Sequence, residues 1–137
     1  MDRELLNTYR KFRRVGAGLV GRDAECCLRN AKTLLAFRKL EDDGIVRLRC
    51  KPETDNYFDV YGEPETEKER ADIVHYLDLW GLWWVTAEWK TEDGEWERAD
   101  SIGMCCYESP LDPFQNAYIP ELMDTAVKAA TAPSYAI

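Results

Sequence analysis

The sequence predicts an α+β domain, with a small, mainly antiparallel three-stranded sheet and a central β-hairpin, packed with about four helices. Three observations carry this expectation. Leu82 to Lys90 and Glu95 to Ile102 are strand-like runs on either side of Asp93-Gly94, a dipeptide favoured in tight hairpin turns. Ile45 to Cys50 alternates cleanly, with Ile45, Arg47 and Arg49 against Val46, Leu48 and Cys50. Apolar residues recur at helical spacing in several flanking stretches.

Each element has its own signals. Asp2 can cap a helix over about residues 3–15, whose Leu5, Leu6, Tyr9 and Phe12 share one stripe. Gly16-Ala17-Gly18 breaks it. A second helix over about 22–42 places Ala24, Cys27, Leu28, Ala31, Leu34 and Leu35 inward and ends at Gly44. The two helices should form an antiparallel hairpin. The strand at Ile45 follows, then a Pro-, Asp-, Glu- and Gly-rich loop around a short extended segment, Tyr57–Tyr61. Thr66-Glu67-Lys68-Glu69 reads as a capping box, opening a third helix that carries Ile73, Val74, Leu77 and Trp80 inward and stops at Gly81. With Asp93-Gly94 in the turn, Trp89 faces Arg98, Ala87 faces Asp100 and Val85 faces Ile102, all toward the core. Trp84, Thr86, Glu88, Lys90, Glu97 and Ser101 then point the other way. After a Pro-rich loop, Pro120 fits the first turn of a last helix with Leu122, Met123, Ala126 and Ala130 on its apolar stripe.

Composition bounds the class. A chain of 137 residues is the size of one domain, spanning 1–137, with a helical hairpin over 3–42 and the sheet and remaining helices over 45–132. A composition 45% hydrophobic and 32% charged is globular rather than disordered. No apolar run approaches the roughly 18–20 residues of a membrane span, and Met1 to Leu5 lacks the apolar region of a secretory signal. A soluble, cytoplasmic protein without a membrane partner is therefore expected. Five cysteines, an odd number including the adjacent pairs Cys26-Cys27 and Cys105-Cys106, make a poor disulfide framework. They read as reduced, mostly buried thiols. With one histidine and no CxxC spacing, no metal or other cofactor is expected.

Charge is divided unevenly along the chain. Residues 1–51 hold 13 Lys and Arg against 7 Asp and Glu, a net of +6, whereas residues 52–137 hold 5 against 19, a net of −14. Such asymmetry predicts a bipolar surface. Its basic part, Arg10, Lys11, Arg13 and Arg14 with Arg29, Lys32 and Arg38, is interleaved with Tyr9 and Phe12, as phosphate contacts and base stacking would use. Its acidic part, Glu53, Asp55, Asp59, Glu63, Glu65 and Glu67, with Glu92 and Asp93 at the hairpin, can imitate a phosphate array and enter another protein's basic channel. Tyr57 and Trp84 are the aromatic anchors expected to accompany it.

Catalytic patterns are weaker. Gly16 to Gly21 matches GxGxxG, but a helix rather than the required strand precedes it. His75 with Cys105 or Cys106 could form a nucleophilic pair, yet nothing in the sequence brings them together. Asp100, expected on the core face, reads as a structural carboxylate, because its one conceivable acid–base partner, Glu88, lies on the opposite face.

The segments Trp84-Val85-Thr86-Ala87-Glu88, Asp93-Gly94-Glu95-Trp96, Ala99-Asp100-Ser101-Ile102-Gly103 and Tyr118-Ile119-Pro120-Glu121-Leu122-Met123 resemble those of small phage, plasmid and mobile-element proteins. Tyr9-Arg10-Lys11-Phe12-Arg13-Arg14 and Gly44-Ile45-Val46-Arg47-Leu48 are similar to the same group. The resemblance implies a setting in which small acidic proteins counter host defences such as CRISPR or restriction systems. The expectation is thus a non-enzymatic inhibitor that binds a host protein of a nucleic-acid-targeting complex through its acidic surface. The alternative is an accessory protein that binds nucleic acid through its basic helices.

Overall fold

The computed structural model describes residues 2–15 and 23–132. Within them lie five helices and a three-stranded antiparallel sheet, so the fold is α+β. In chain order they are α1 (Arg3–Val15), α2 (Ala24–Asp42), β1 (Val46–Pro52), α3 (Tyr57–Tyr61), α4 (Glu67–Trp80), β2 (Trp83–Lys90), β3 (Trp96–Cys105) and α5 (Ile119–Thr131). The strand order is β1-β2-β3. No described helix is long and apolar enough to cross a membrane.

The helix ends follow local chemistry. Asp2 accepts the Leu5 N–H at 2.8 Å, and Asp23 accepts the Cys26 N–H at 2.9 Å, each satisfying an amide that a first turn leaves free. At the end of α2, Gly44 takes φ +75°, its N–H reaches the Glu41 carbonyl and the Ile45 N–H reaches the Leu40 carbonyl, both at 2.9 Å. That pair of bonds is a Schellman motif, and glycine reaches the left-handed region without a Cβ penalty. Thr66 Oγ1 accepts the Glu69 N–H at 3.1 Å, one arm of the expected capping box. Pro120 sits in the first turn of α5.

Helices α2 and α5 cover one face of the sheet, and α1 packs on α2. The core joins Phe12, Cys27, Ala31, Leu34 and Phe37 to Val46, Val85 and Ala87 of the sheet and to Phe114, Ile119, Leu122, Met123 and Ala126. Among the described residues, one polar side chain lies fully inside it. Asn116 donates to the Pro110 carbonyl at 3.1 Å and accepts the Tyr118 N–H at 3.1 Å within the loop before α5, and its amide also reaches the Cys105 sulfur at 3.5 Å, tying that loop to the end of β3.

Several expectations are corrected. Tyr57–Tyr61 is a helical turn rather than an extended segment, because Asn56 caps the Phe58 N–H at 2.9 Å and Tyr57 and Tyr61, one turn apart, stack at 4.8 Å. Helix α4 turns Ile73, Val74, Leu77 and Trp80 inward as expected, but they are only half-covered and none is fully buried. The hairpin loop has three residues, Glu92, Asp93 and Gly94. Thr91 pairs with Glu95 at 2.8 Å and Gly94 takes φ +82°, the left-handed position of a bulged three-residue loop.

That additional loop residue resets the register near the tip. Lys90 pairs with Trp96, Trp89 with Glu97 and Glu88 with Arg98, so Arg98 leaves the core side and Glu97 takes its place opposite Trp89. A bulge at Ala99 restores the expected pairs Ala87 with Asp100 and Val85 with Ile102. Even so, Asp100 is exposed rather than on a covered face, and its carboxylate accepts the neighbouring Ser101 N–H at 2.8 Å. Burial along the edge strand β3 rises only toward Cys105.

Candidate functional site

Two surfaces stand apart from the core. The first is an arm formed by α3, α4 and the turns flanking them. Neither helix packs extensively on the rest of the described fold. The arm holds itself together at its root. Arg70 donates to Glu63 at 2.9 Å and lies over the Phe58 ring at 4.5 Å, linking α4 to α3. The Trp83 indole N–H donates to the Trp80 carbonyl at 2.8 Å, and the Cys106 thiol meets the Tyr76 carbonyl at 3.6 Å.

Asp55, Asp59, Glu63, Glu65 and Glu67 are all exposed on this arm, as an acidic interface requires. Glu53 is not available in the same way. Its half-buried carboxylate accepts the Met104 N–H at 3.1 Å and the Asp55 N–H at 3.3 Å, steadying a second β3 bulge where Met104 takes φ 59°. Glu92 and Asp93 are exposed but belong to the other end of the sheet. The pairs Pro52–Trp83 and Lys90–Trp96 mark its two ends, and the eight residues of β2 between them span roughly 25 Å. The expected acidic set is therefore two separate patches.

The anchors also change. Tyr57 is half-buried against Phe58 and Tyr61, and the half-buried Trp84 ring lies against Gly103 and Glu53. The exposed apolar side chains on the arm are others: Val60 (51% exposed), Tyr61 (61%), Tyr76 (46%) and Leu79 (61%). Away from the arm, Tyr118, beside the start of α5, is also 50% exposed. Sequence reasoning missed these because helical spacing marks an apolar stripe without saying whether anything covers it.

The second surface is the sheet face opposite the core. Arg47, Arg49 and Lys51 of β1 stand in register with Glu88, Thr86 and Trp84 of β2, and Lys90, Trp96, Arg98 and Ser101 complete the face. Arg47 donates to Glu88 at 2.8 Å and stacks over the Trp96 ring at 3.9 Å, while Arg49 approaches the same carboxylate at 3.8 Å. A shallow, open pocket of about 210 Å³ lies between Arg49, Cys50, Lys51, Trp84, Thr86 and Glu88.

The basic helices are not assembled as a stacking site. Arg10, Lys11, Arg13, Arg14, Arg29, Lys32 and Arg38 are all exposed, but Phe12 is buried on Phe114, with ring centroids 4.4 Å apart, and Tyr9 packs on the core. Lys11 lies over the outer side of Phe114 at 4.2 Å. Nine residues of helix put Arg38 about 180° around α2 from Arg29, so these cations do not share one face.

The thiols are more varied than expected. No disulfide joins any of the five cysteines; Cys27 and Cys105 are buried, Cys26 and Cys106 half-buried, and Cys50 is exposed because the outer end of edge strand β1 has no cover. Burial raises the Cys105 thiol, against a lowering hydrogen bond from Asn116, and burial also raises Cys106. Both shifts oppose the thiolate a nucleophile would need. Gly16 to Gly21, with its GxGxxG pattern, lies outside the described residues. Among the described residues, no group of three or more His, Cys, Asp or Glu side chains is placed to hold a metal ion. Comparison with protein-family models, curated proteins and solved structures finds no match.

Proposed function

We propose that this chain acts without catalysis, as an inhibitor that binds a basic surface of a host protein in a nucleic-acid-targeting complex, and that it does so through the α3–α4 arm. The observation that carries this reading is that α4 has no fully buried side chain and presents Tyr76 and Leu79 to solvent, while α3, tied to it through Arg70, presents Val60 and Tyr61. Short helices draw most of their stability from packing of an apolar face. An aromatic surface left uncovered in this way has the character of a binding hot spot. The carboxylates around it favour a cationic partner and would speed encounter with one.

The reading is tested by cross-linking the protein in its producing host and identifying what it captures. Wild-type chain should recover a protein of a nucleic-acid-targeting system. Asp55→Lys/Glu65→Lys/Glu67→Lys and Tyr76→Ala/Leu79→Ala should each lose that partner while melting within a few degrees of wild type. Retention of the partner by both variants would exclude the arm, and capture of proteins unrelated to nucleic-acid targeting would exclude the function.

A further inference from the structure

The open sheet face has a charge opposite to that of the molecule. The chain carries a net −8, yet this face gathers Arg47, Arg49, Lys51, Lys90 and Arg98 around two half-buried carboxylates, Glu88 and, beside Trp84, Glu53, the latter held by the Met104 N–H. Among the described residues no helix packs over it, since α2 and α5 lie on the core side. Side chains at alternate positions of β1 are about 6.7 Å apart, so Arg47, Arg49 and Lys51 form an evenly spaced cationic row. That row is commensurate with the phosphates of an extended single strand. Trp84 and Trp96 flank it at opposite ends, with the pocket at Trp84 open beside Arg49 and Lys51.

We infer that this face is a binding platform for single-stranded nucleic acid, with phosphates on Arg49, Lys51, Lys90 and Arg98 and a base against Trp84. Cations that track a backbone beside aromatic rings are the shared device of single-strand binding surfaces. Arg47 is the positioning residue. It is committed to Glu88 and Trp96 and holds the middle of the face in place. A duplex is disfavoured by the hairpin tip. A two-stranded ribbon can enter a major groove, but here Glu92, Asp93, Glu95 and Glu97 would meet the phosphates first.

This site is separate from the α3–α4 arm, and its test separates from the partner test. Anisotropy of a labelled 15-nucleotide oligothymidylate should report binding at 50 mM salt. Four phosphate contacts give a log–log salt slope of about −2.8, which is an affinity loss of about 50-fold between 50 and 200 mM. Arg49→Gln/Lys51→Gln should halve that slope. Trp84→Leu should weaken binding roughly 10-fold or more and leave the slope unchanged, because stacking releases no counterions. Thermal melting and gel filtration of each variant check that β1, a strand at the sheet edge, has neither unfolded nor begun to pair between molecules. No binding by folded wild-type protein at 50 mM salt would overturn the inference. So would equal affinity for duplex, or a loss that follows Arg10→Glu/Arg14→Glu on α1 rather than the sheet variants. Arm variants that lose the protein partner should bind the oligonucleotide as wild type does.

Discussion

Replacing Gly103 with alanine should destabilise this protein more than any comparable change at its exposed turns. A Cβ at Gly103 would lie 2.5 Å from Trp84 Cε3, 2.6 Å from Trp84 Cζ3 and 2.6 Å from Glu53 Oε2. Carbon atoms pack best at about 3.5–4.0 Å, so the ring and the carboxylate must each retreat by about 1 Å. The ring is rigid and rooted on the central strand. The carboxylate is held by the Met104 N–H at 3.1 Å, at a backbone position with φ 59°. Overpacking of this kind costs about 1–3 kcal/mol, and weakening the bond to Met104 adds about 1 kcal/mol. The expected total is about 2–4 kcal/mol, which for a domain of this size lowers Tm by roughly 8–16 °C.

Gly44→Ala supplies the contrast. Nothing lies within 4 Å of the added methyl there, and only the left-handed φ of +75° opposes it, at about 1 kcal/mol. Urea denaturation measures both, and the background variant Trp84→Leu decides the cause. If ring contact is responsible, Gly103→Ala made in that background should lose at least about 1 kcal/mol of its effect. A Gly103→Ala protein that melts within 2 °C of wild type, or effects that simply add, would refute the reasoning.

Three further outcomes are expected. A thiol reagent should modify Cys50 fastest and Cys26 and Cys106 more slowly, reaching Cys27 and Cys105 only on unfolding, as mass spectrometry of timed samples would show. Burial keeps the Cys105, Cys106 and Tyr107 protons on the folded chain. Above about pH 8.5 the unfolded state therefore binds fewer protons than the native one, and stability, fully present below that pH, should decline as pH rises through the raised folded values. Cys105→Ala should flatten this alkaline decline in a Tm-against-pH series. Phe12→Ala removes the ring that joins α1 to Phe114 and should lose about 3–5 kcal/mol in urea denaturation.

Much of the fold was legible because its signals are local. Asp2, Gly44, Thr66 and Pro120 each act on amides or torsions within a few residues, so each could be read without knowing what lay across the molecule. The failures share the opposite property. Whether the hairpin loop holds two residues or three depends on how Thr91 and Glu95 pair, and that one residue decides which side Arg98 and Glu97 take. The Ala99 bulge leaves no sequence signature of its own, yet it confines the error to the tip. Glu53 reads as one more surface carboxylate until β3 is seen to bend toward it at Met104. The exposure of Tyr61, Tyr76 and Leu79 was equally hidden, since an apolar side chain looks the same in sequence whether a core covers it or not.

The charge pattern shows how far a linear division can mislead. Read along the chain, residues 1–51 form a basic half and residues 52–137 an acidic one. In the fold the boundary falls inside β1, whose pairing with β2 carries Arg47, Arg49 and Lys51 away from the basic helices and onto the far face of the sheet. There they join Lys90 and Arg98, two of the few cations of the acidic half, and the Ala99 bulge is what turns Arg98 to that side. Without that bulge, continuing the Ala87–Asp100 register would set Ala99 opposite Glu88 and leave Arg98 on the core side. The basic sheet face is thus a product of strand pairing, assembled from both halves of the chain. The acidic residues divide by the same logic: those between β1 and β2 collect on the arm, and those of the hairpin loop lie roughly 25 Å away at the opposite end. Among its described residues an acidic chain thereby presents a cationic sheet face and, at opposite ends of the sheet, two separate anionic patches.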